Sequence, residues 1–239
     1  MIDLHCHIIY DTDDGAKDIE NSISMIKEAF QAGFTKICCT PHYLAPQYVK
    51  SKQENFEKLN IIKQRVKEEN IDIELFLGNE IYITNDIKEL IKTEEVSTMA
   101  NTNYVLVEFP MMFKTYLAES EINDLISRKY NVIIAHPERY SYVQKDIRFL
   151  DSLIQKGVYF QGNYESLLGK YGNQAKKTLI KLIKEKKIDF LSSDNHKENS
   201  TYTKMNKIIK VLKKYAKDEY FDNITKYNQE KVLKNIVFK

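Results

Sequence analysis

The sequence predicts an α/β fold in which a parallel sheet of seven strands closes into a barrel. Short apolar runs alternate with amphipathic stretches seven times along the 239 residues, a pattern typical of parallel sheets. No linker, internal repeat or change in composition divides the chain, so we expect one domain, residues 1–239. An open doubly wound sheet is the alternative, but no glycine-rich phosphate loop follows the first strand to support it.

Each predicted strand is a short apolar run that ends in polar residues. The seven runs are residues 2–7, 36–40, 73–77, 104–109, 132–135, 158–161 and 188–191. Side chains alternate between the two faces of a strand, so His5 and His7 in the first run should share a face. In a parallel barrel the carboxyl ends of the strands meet at one rim, where active sites lie.

The predicted helices lie between these strands and carry recognisable ends. Asp18 caps the first helix, and Gly33 ends it. The expected buried stripes are Ile19, Ile23, Ile26 and Phe30 in the first helix and Phe56, Leu59, Ile62 and Val66 in the second. The helices after the first are predicted at about 51–69, 86–92, 121–129, 147–156 and 174–186, with a lysine-rich helical part from about 197.

The composition indicates an ordinary globular protein with reduced thiols. Hydrophobic residues make up 43% of the chain and charged residues 29%, and no apolar run approaches the ~20 residues of a membrane span. The cysteines Cys6, Cys38 and Cys39 all fall in predicted strands, which fits core thiols better than disulfides. With no secretory signal visible, we expect a cytoplasmic protein that does not insert into membranes.

The charge distribution argues against nucleic acid as a partner but is uneven. The net charge of +2 is too small to indicate nucleic-acid binding. Residues 197–239 nevertheless contain 11 lysines against five acidic residues. A solvated basic helix face is the simpler interpretation, and an acidic partner is the alternative.

Histidines and carboxylates cluster at the predicted strand ends. All five histidines of the chain lie there: His5, His7, His42, His136 and His196. Glu80, Glu108 and Asp194 occupy equivalent positions at the ends of the third, fourth and seventh strands. In the turn after the first strand we assign Asp11 and Asp13 to turn formation and keep Asp14 as a candidate ligand.

This set of donors predicts a metal site with several ions. Imidazole nitrogen and carboxylate oxygen suit Mn, Fe or Zn without selecting one. Cys6 should point away from His5 and His7, and is therefore an improbable ligand. Three divalent ions with four carboxylates and the nearby Arg139 would suit a phosphate ester dianion, and the ions would lower the pKa of a bridging water.

Seven motifs resemble the polymerase-and-histidinol-phosphatase superfamily, and within it the manganese-dependent bacterial protein-tyrosine phosphatases of capsule and exopolysaccharide synthesis. They occur in the family's order between residue 1 and about residue 196. The motifs are Asp3-Leu4-His5-Cys6-His7, Asp13-Asp14-Gly15, Thr40-Pro41-His42, Gly78-Asn79-Glu80-Ile81-Tyr82, Glu108-Phe109, Ala135-His136-Pro137-Glu138-Arg139-Tyr140 and Ser193-Asp194-Asn195-His196.

The resemblance implies a distorted (β/α)7 barrel that holds three metal ions, with Mn²⁺ favoured over Fe or Zn. It implies that His5, His7, Glu80 and Asp194 hold the first ion, that Glu80, Glu108 and His136 hold the second, and that Asp14, His42 and His196 hold the third. It also implies that Arg139 binds phosphate, a good use for a guanidinium fork. The implied substrate is a phosphotyrosine-bearing protein, in particular a bacterial tyrosine autokinase.

The sequence departs from the family at one point and leaves other functions open. Members of the group often carry a second arginine after the last motif, whereas residues 197–201 contain none, and Lys197 could replace it only as a point charge. A cysteine-dependent mechanism is improbable because no cysteine is followed six positions later by arginine. A small-molecule phosphatase of the histidinol-phosphate type and, less favoured, a nuclease remain as alternatives.

Overall fold

A computed structural model describes residues 1–84 and 86–239. Its strands form two sheets, and neighbouring strands in each sheet run parallel. The strands are β1 Ile2–Asp3, β2 Lys36–Cys39, β3 His42–Tyr43, β4 Glu74–Leu77, β5 Glu80–Tyr82, β6 Tyr104–Glu108, β7 Asn131–Ala135, β8 Tyr159–Asn163 and β9 Phe190–Ser192. One sheet has the order β1-β2-β4, and the other has the order β3-β5-β6-β7-β8-β9. The predicted α/β fold with parallel strands is therefore confirmed.

Helices connect the strands. They are α1 Ile19–Gln31, α2 Lys52–Glu68, α3 Ile87–Lys92, α4 Tyr116–Ser127, α5 Ser141–Lys145, α6 Asp151–Gln155, α7 Gly172–Lys184, α8 Met205–Leu212, α9 Asp218–Asp222 and α10 Asn228–Leu233. The predicted cap of α1 is correct, since Asp18 accepts a hydrogen bond from the backbone N–H of Asn21 and Gly33 adopts a positive φ of 87°. Ser51 and Glu54 form a capping box at the start of α2.

Backbone hydrogen bonds continue the pairing beyond the regular strands. The N–H groups of Gly78 and Glu80 donate to Cys39 and Pro41, and so join the stretch between β4 and β5 to the stretch between β2 and β3. At the other side, the N–H of His7 donates to the carbonyl of Asn195, and the N–H of Asp194 donates to that of His5. The segments that carry the predicted ligands are thus held side by side.

Several predicted boundaries are wrong for identifiable reasons. The first regular strand ends at Asp3, because the Asp3 carboxylate accepts the N–H groups of His5 and Ser193 in place of a strand partner. Helix α4 begins at Tyr116, five residues before the predicted start, with Thr115 as its cap. Residues 147–150 form a 3₁₀ turn before α6. Strands β3 and β5, of two and three residues, are too short to produce a periodic signal.

Two aromatic residues assigned to the core are exposed. Phe30 is 43% exposed in the last turn of α1. Phe56 is 47% exposed, because the buried face of α2 is centred on Asn55, Leu59, Ile62 and Val66, and Phe56 lies about 100° from Asn55 around the helix. In the part of the chain that the structure describes, no helix combines the length and apolar character needed to cross a membrane.

Gly162 in β8 allows α7 to pack closely against the strand that carries part of the site. A Cβ atom at this position would lie 2.6 Å from Leu179 Cδ1 and 3.3 Å from Leu191 Cδ2. We expect Gly162→Ala to lower the free energy of unfolding by ~1–3 kcal/mol through overpacking, measured by urea denaturation. Adding Leu179→Val should recover part of the loss, and a single variant as stable as the parent would contradict this close contact.

Candidate metal centre

The carboxylate of Glu80, at the start of β5, lies at the centre of four of the five histidines. Its Oε2 atom is 2.9 Å from His42 Nδ1, 3.1 Å from His5 Nε2 and 3.5 Å from His7 Nε2. Its Oε1 atom is 2.9 Å from His136 Nε2. Although burial opposes ionisation, His5 and His42 hold the pKa of Glu80 well below its usual range.

His7, His42, His196 and Asp14 form a second group at the solvent side of Glu80. One ligand atom from each of these residues lies within 4.8 Å of the others. The Asp14 carboxylate is 3.5 Å from His196 Nε2 and 3.6 Å from His42 Nε2, and its side chain is 55% exposed. The structure thus brings Asp14 to the histidines, as predicted, and places His7 between this group and the buried one.

Asp194 joins the histidines to Arg139. Its Oδ1 atom lies 3.4–3.5 Å from nitrogens of His5, His7 and His196. Its Oδ2 atom accepts hydrogen bonds from Asn163 Nδ2 at 2.6 Å, Arg139 Nη1 at 3.1 Å and the Tyr171 hydroxyl at 3.3 Å. The two oxygens of this carboxylate therefore face different parts of the site.

Glu108 and His136 complete the buried side of the cluster. Glu108 Oε1 is 3.6 Å from His136 Nε2, and Glu108 also groups with His42 and Glu80. Burial, and then the neighbouring charge of Glu80, raise the pKa of Glu108 to about 8. Burial, and then Arg139, lower the pKa of His136 to about 4. Both shifts reflect the burial of charged groups close to one another on this side of the cluster.

Residues that the sequence analysis did not assign to the site hold the histidines in place. Asp13 was assigned to turn formation, and its Oδ1 atom does accept the N–H of Gly15. Its Oδ2 atom, however, lies 2.7 Å from His7 Nδ1 and accepts the N–H of His42 at 2.8 Å, so that assignment was incomplete. A carboxylate on the outer nitrogen of a metal-binding histidine fixes the tautomer and the orientation of the ring.

A second supporting chain comes from β8. Gln161 Oε1 lies 2.8 Å from His5 Nδ1, and Gln161 Nε2 donates to Asn163 Oδ1 at 2.9 Å. Asn163 in turn donates to Asp194. Both side chains are buried, so the two residues position His5 and Asp194 through one network. Their only sequence signal is a pair of polar residues at the end of a buried strand.

The backbone turns sharply at two of the predicted ligands. His136 and Asp194 follow β7 and β9 and have φ angles of 32° and 49°. Left-handed conformations at residues other than glycine cost free energy and are concentrated at functional sites. The turns bring both side chains to the cluster where the strands end, and nothing in the sequence pattern indicates them.

The donor set fits divalent metal ions. The Nε2 atoms of His5 and His7 face each other at 3.2 Å, and both lie next to the Glu80 and Asp194 carboxylates. Among the described residues, His136 Nδ1 is buried without a hydrogen-bond partner, and the close contacts of Glu80 Oε2 with imidazole nitrogens lack the geometry of hydrogen bonds. Converging nitrogen and carboxylate oxygen without thiolate is the ligand set of Mn, Fe or Zn sites.

The cysteines lie outside this cluster. All three are buried in the apolar core, and the Cys6 thiol lies against the carbonyl of Cys38 at 3.6 Å. Burial raises the pKa of the Cys6 and Cys38 thiols, which opposes thiolate formation. The inference that Cys6 points away from His5 and His7 agrees with these contacts.

Asp13 and Asp11 offer a matched pair for testing the supporting role. We expect Asp13→Asn to weaken metal binding by about 10–100-fold, because it removes the negative charge beside His7 Nδ1. The affinity would be measured by calorimetric titration with Mn²⁺. Asp11→Asn is the control, since Asp11 is exposed and pairs with Lys58. Equal affinities in the two variants would contradict the role of Asp13.

Comparison with known proteins shows the family of this chain. The family model described as capsular polysaccharide synthesis, CpsB/CapC, matches residues 1–234. The Staphylococcus aureus protein CapC is 35% identical over 196 residues, which cover 82% of this chain and 77% of CapC. Tyrosine-protein phosphatase YwqE of Bacillus subtilis is 31% identical over 235 residues, which cover 98% of this chain and 92% of YwqE.

Solved structures show the same relationship. One similar chain comes from the crystal structures of YwqE from Bacillus subtilis and CpsB from Streptococcus pneumoniae, which are described as metal-dependent tyrosine phosphatases. It has a TM-score of 0.92 at 30% identity, and the match covers 100% of this chain and 96% of that one. Histidinol phosphate phosphatase from Lactococcus lactis has a TM-score of 0.58 at 16% identity, over 90% of this chain and 93% of its own, which shows a shared fold alone. The family resemblance carried by the motifs is confirmed, and the chain belongs to the CpsB/CapC family of capsular polysaccharide synthesis.

Proposed function

We propose that this protein is a metal-dependent phosphatase that hydrolyses phosphotyrosine on protein. The observation that carries the proposal is that five histidines and four carboxylate residues come together where the strands end, next to the guanidinium of Arg139. Membership of a family whose relatives are named tyrosine-protein phosphatases supports it. We further propose that the parallel strands belong to a distorted (β/α)7 barrel in one domain.

The ligand assignment that we propose has three ions. His5, His7, Glu80 and Asp194 would hold the first, Glu80, Glu108 and His136 the second, and Asp14, His42 and His196 the third. The proximity of His7 to the third group and of His42 to Glu80 and Glu108 is compatible with neighbouring ions that share this cluster. Mn²⁺ is the proposed metal, with Fe or Zn as alternatives. Such ions supply Lewis acidity and hydroxide at neutral pH.

Arg139 is the proposed phosphate-binding residue. The Arg139 side chain is 26% exposed and lies at the mouth of the site, in a cavity of about 330 Å³ lined also by Asp14, His42 and Lys197. Among the described residues, only the Nη1 group of its guanidinium has an acceptor, Asp194 Oδ2. The other N–H donors remain for the phosphoryl oxygens, whose negative charge they stabilise as the ester bond breaks.

The exposure of the site favours a protein substrate. Asp14, Arg139 and His196 are all partly open to solvent, so a phosphotyrosine on a protein surface can reach them. Lys197 is exposed in the same cavity and can add a positive charge where the family often has an arginine. We propose a tyrosine kinase of capsular or exopolysaccharide synthesis as the substrate, and the cytoplasm as the location.

Substrate and metal dependence can be tested together. We expect the purified protein to release phosphate from a phosphotyrosine peptide with Mn²⁺ and not with EDTA, and to act poorly on histidinol phosphate and single-stranded DNA. His136→Ala and Glu108→Ala should reduce turnover to background with an unchanged circular dichroism spectrum, because each removes a proposed ligand.

The cysteines provide the control for this experiment. Cys6→Ala, Cys38→Ala and Cys39→Ala, tested singly, should keep metal-dependent turnover because none belongs to the metal centre. Turnover that persists in EDTA and disappears with one cysteine would overturn the proposed mechanism. Metal-dependent turnover of histidinol phosphate alone would keep the site and change the substrate.

Tyr171 is expected to position Arg139. The guanidinium carbon lies 4.4 Å from the centre of the Tyr171 ring, and the tyrosine hydroxyl donates to Asp194. We expect Tyr171→Ala to raise KM for the phosphotyrosine peptide by about tenfold with little change in kcat, because the cation–π contact is lost. Tyr171→Phe keeps the ring and should stay close to the parent. Similar KM values for both variants would contradict positioning by the ring.

A further inference from the structure

The segment from Lys170 to Lys217 has a strong positive charge that neighbouring carboxylates neutralise only in part. It contains 14 lysines and four acidic residues, a net charge of +10, so the rest of the chain carries −8. Three of its lysines are paired: Lys170 and Lys204 with Glu165, and Lys187 with Asp151 and Glu185. The other eleven lysines have no ion pair among the described residues, and all of them except Lys176 are exposed.

Helices α7 and α8 each carry a trio of exposed lysines. We define the lysine face as Lys177, Lys181 and Lys184 of α7 together with Lys207, Lys210 and Lys214 of α8 and the turn after it. The spacing places each trio on one side of its helix, and all six side chains are exposed. No carboxylate among residues 1–84 and 86–239 forms an ion pair with any of them.

The C-terminal end of α7 lies beside two tyrosines, one in the turn after α8 and one in α9. Lys184 Nζ lies 5.4 Å from the ring centre of Tyr215, and Lys186 Nζ lies 6.0 Å from that of Tyr220. Both tyrosines are half-buried at the surface. Tyrosine beside lysine is typical of protein surfaces at the boundary between water and lipid headgroups.

We propose that the lysine face binds the surface of an anionic lipid membrane without insertion. The charges are spread along two helices, the longer of which has 13 residues and so spans about 20 Å, rather than gathered around one pocket. A broad array of point charges matches a plane of anionic headgroups, where each lysine near the surface adds to the attraction. The proposal does not depend on the phosphatase activity proposed above.

The test uses the full-length protein and vesicles of defined lipid. We expect it to sediment with vesicles of phosphatidylcholine and phosphatidylglycerol, but not with phosphatidylcholine alone, and to be released by salt. The triple variant Lys177→Gln/Lys181→Gln/Lys184→Gln should bind the anionic vesicles about a hundredfold more weakly. None of the three residues contacts the metal centre, so hydrolysis of a soluble phosphotyrosine peptide should be unchanged.

A matched variant separates this face from general surface charge. Lys63→Gln/Lys67→Gln/Lys129→Gln removes the same charge from exposed lysines of other segments and should retain vesicle binding. Circular dichroism would confirm that both triple variants are folded. The proposal is overturned if the parent protein ignores anionic vesicles, if both variants lose binding equally, or if the face prefers soluble polyglutamate, which would indicate an acidic polypeptide as its partner.

Discussion

The contact of one buried carboxylate with four imidazoles is the constraint on which the rest of the structure depends. Glu80 approaches His5 and His7 from the first segment, His42 from β3 and His136 from the end of β7. Residues so distant in sequence meet only if the strands that carry them are parallel and end at one level. Hydrogen bonds between the irregular stretches after β1, β2 and β9 satisfy this requirement. The contacts of the site are therefore compatible with strands that run parallel and end at one level.

A cluster of this kind does not stabilise the fold by itself. Desolvation of charged groups in the interior costs free energy, which nearby opposite charges only partly offset. The opposed pKa shifts of Glu80 and Glu108 express this conflict: two carboxylates share one pocket, and burial together with the charge of Glu80 disfavours ionisation of Glu108. The apolar core around the strands therefore has to offset the free-energy cost of burying the polar centre. Bound cations would relieve the repulsion between the carboxylates, which couples metal binding to stability.

The sequence was most informative where local chemistry determines the structure. Asp18 and Gly33 predicted the two ends of α1 correctly, because helix ends depend on nearby side chains. Positions at strand ends identified the residues that the structure brings together. Strands β3 and β5 were missed because their hydrogen bonds are made to distant residues and leave no periodicity in a two- or three-residue stretch.

The residues that support the site were harder to predict than the candidate ligands. Asp13 accepts a hydrogen bond from Gly15 in the turn, and this local contact was enough to explain its presence there. Its second contact, to His7, could therefore not be inferred from the sequence. Gln161 and Asn163 contact His5 and Asp194, which are distant in sequence, so only the folded structure reveals these pairs. The left-handed backbone of His136 and Asp194 depends on tertiary contacts that no local pattern encodes. Side chains that orient other side chains become visible only in three dimensions.

The two oxygens of Asp194 connect the parts of the proposed mechanism. Oδ1 faces the histidines, whereas Oδ2 accepts hydrogen bonds from Arg139, Asn163 and Tyr171. The same carboxylate therefore contacts the proposed metal ligands and the proposed phosphate-binding arginine. Its negative charge also limits the attraction of Arg139 for other anions, so the remaining guanidinium donors must be oriented well to bind phosphate. Stacking on Tyr171 provides that orientation without using a donor. In the proposed mechanism, this single side chain would couple metal binding to substrate binding.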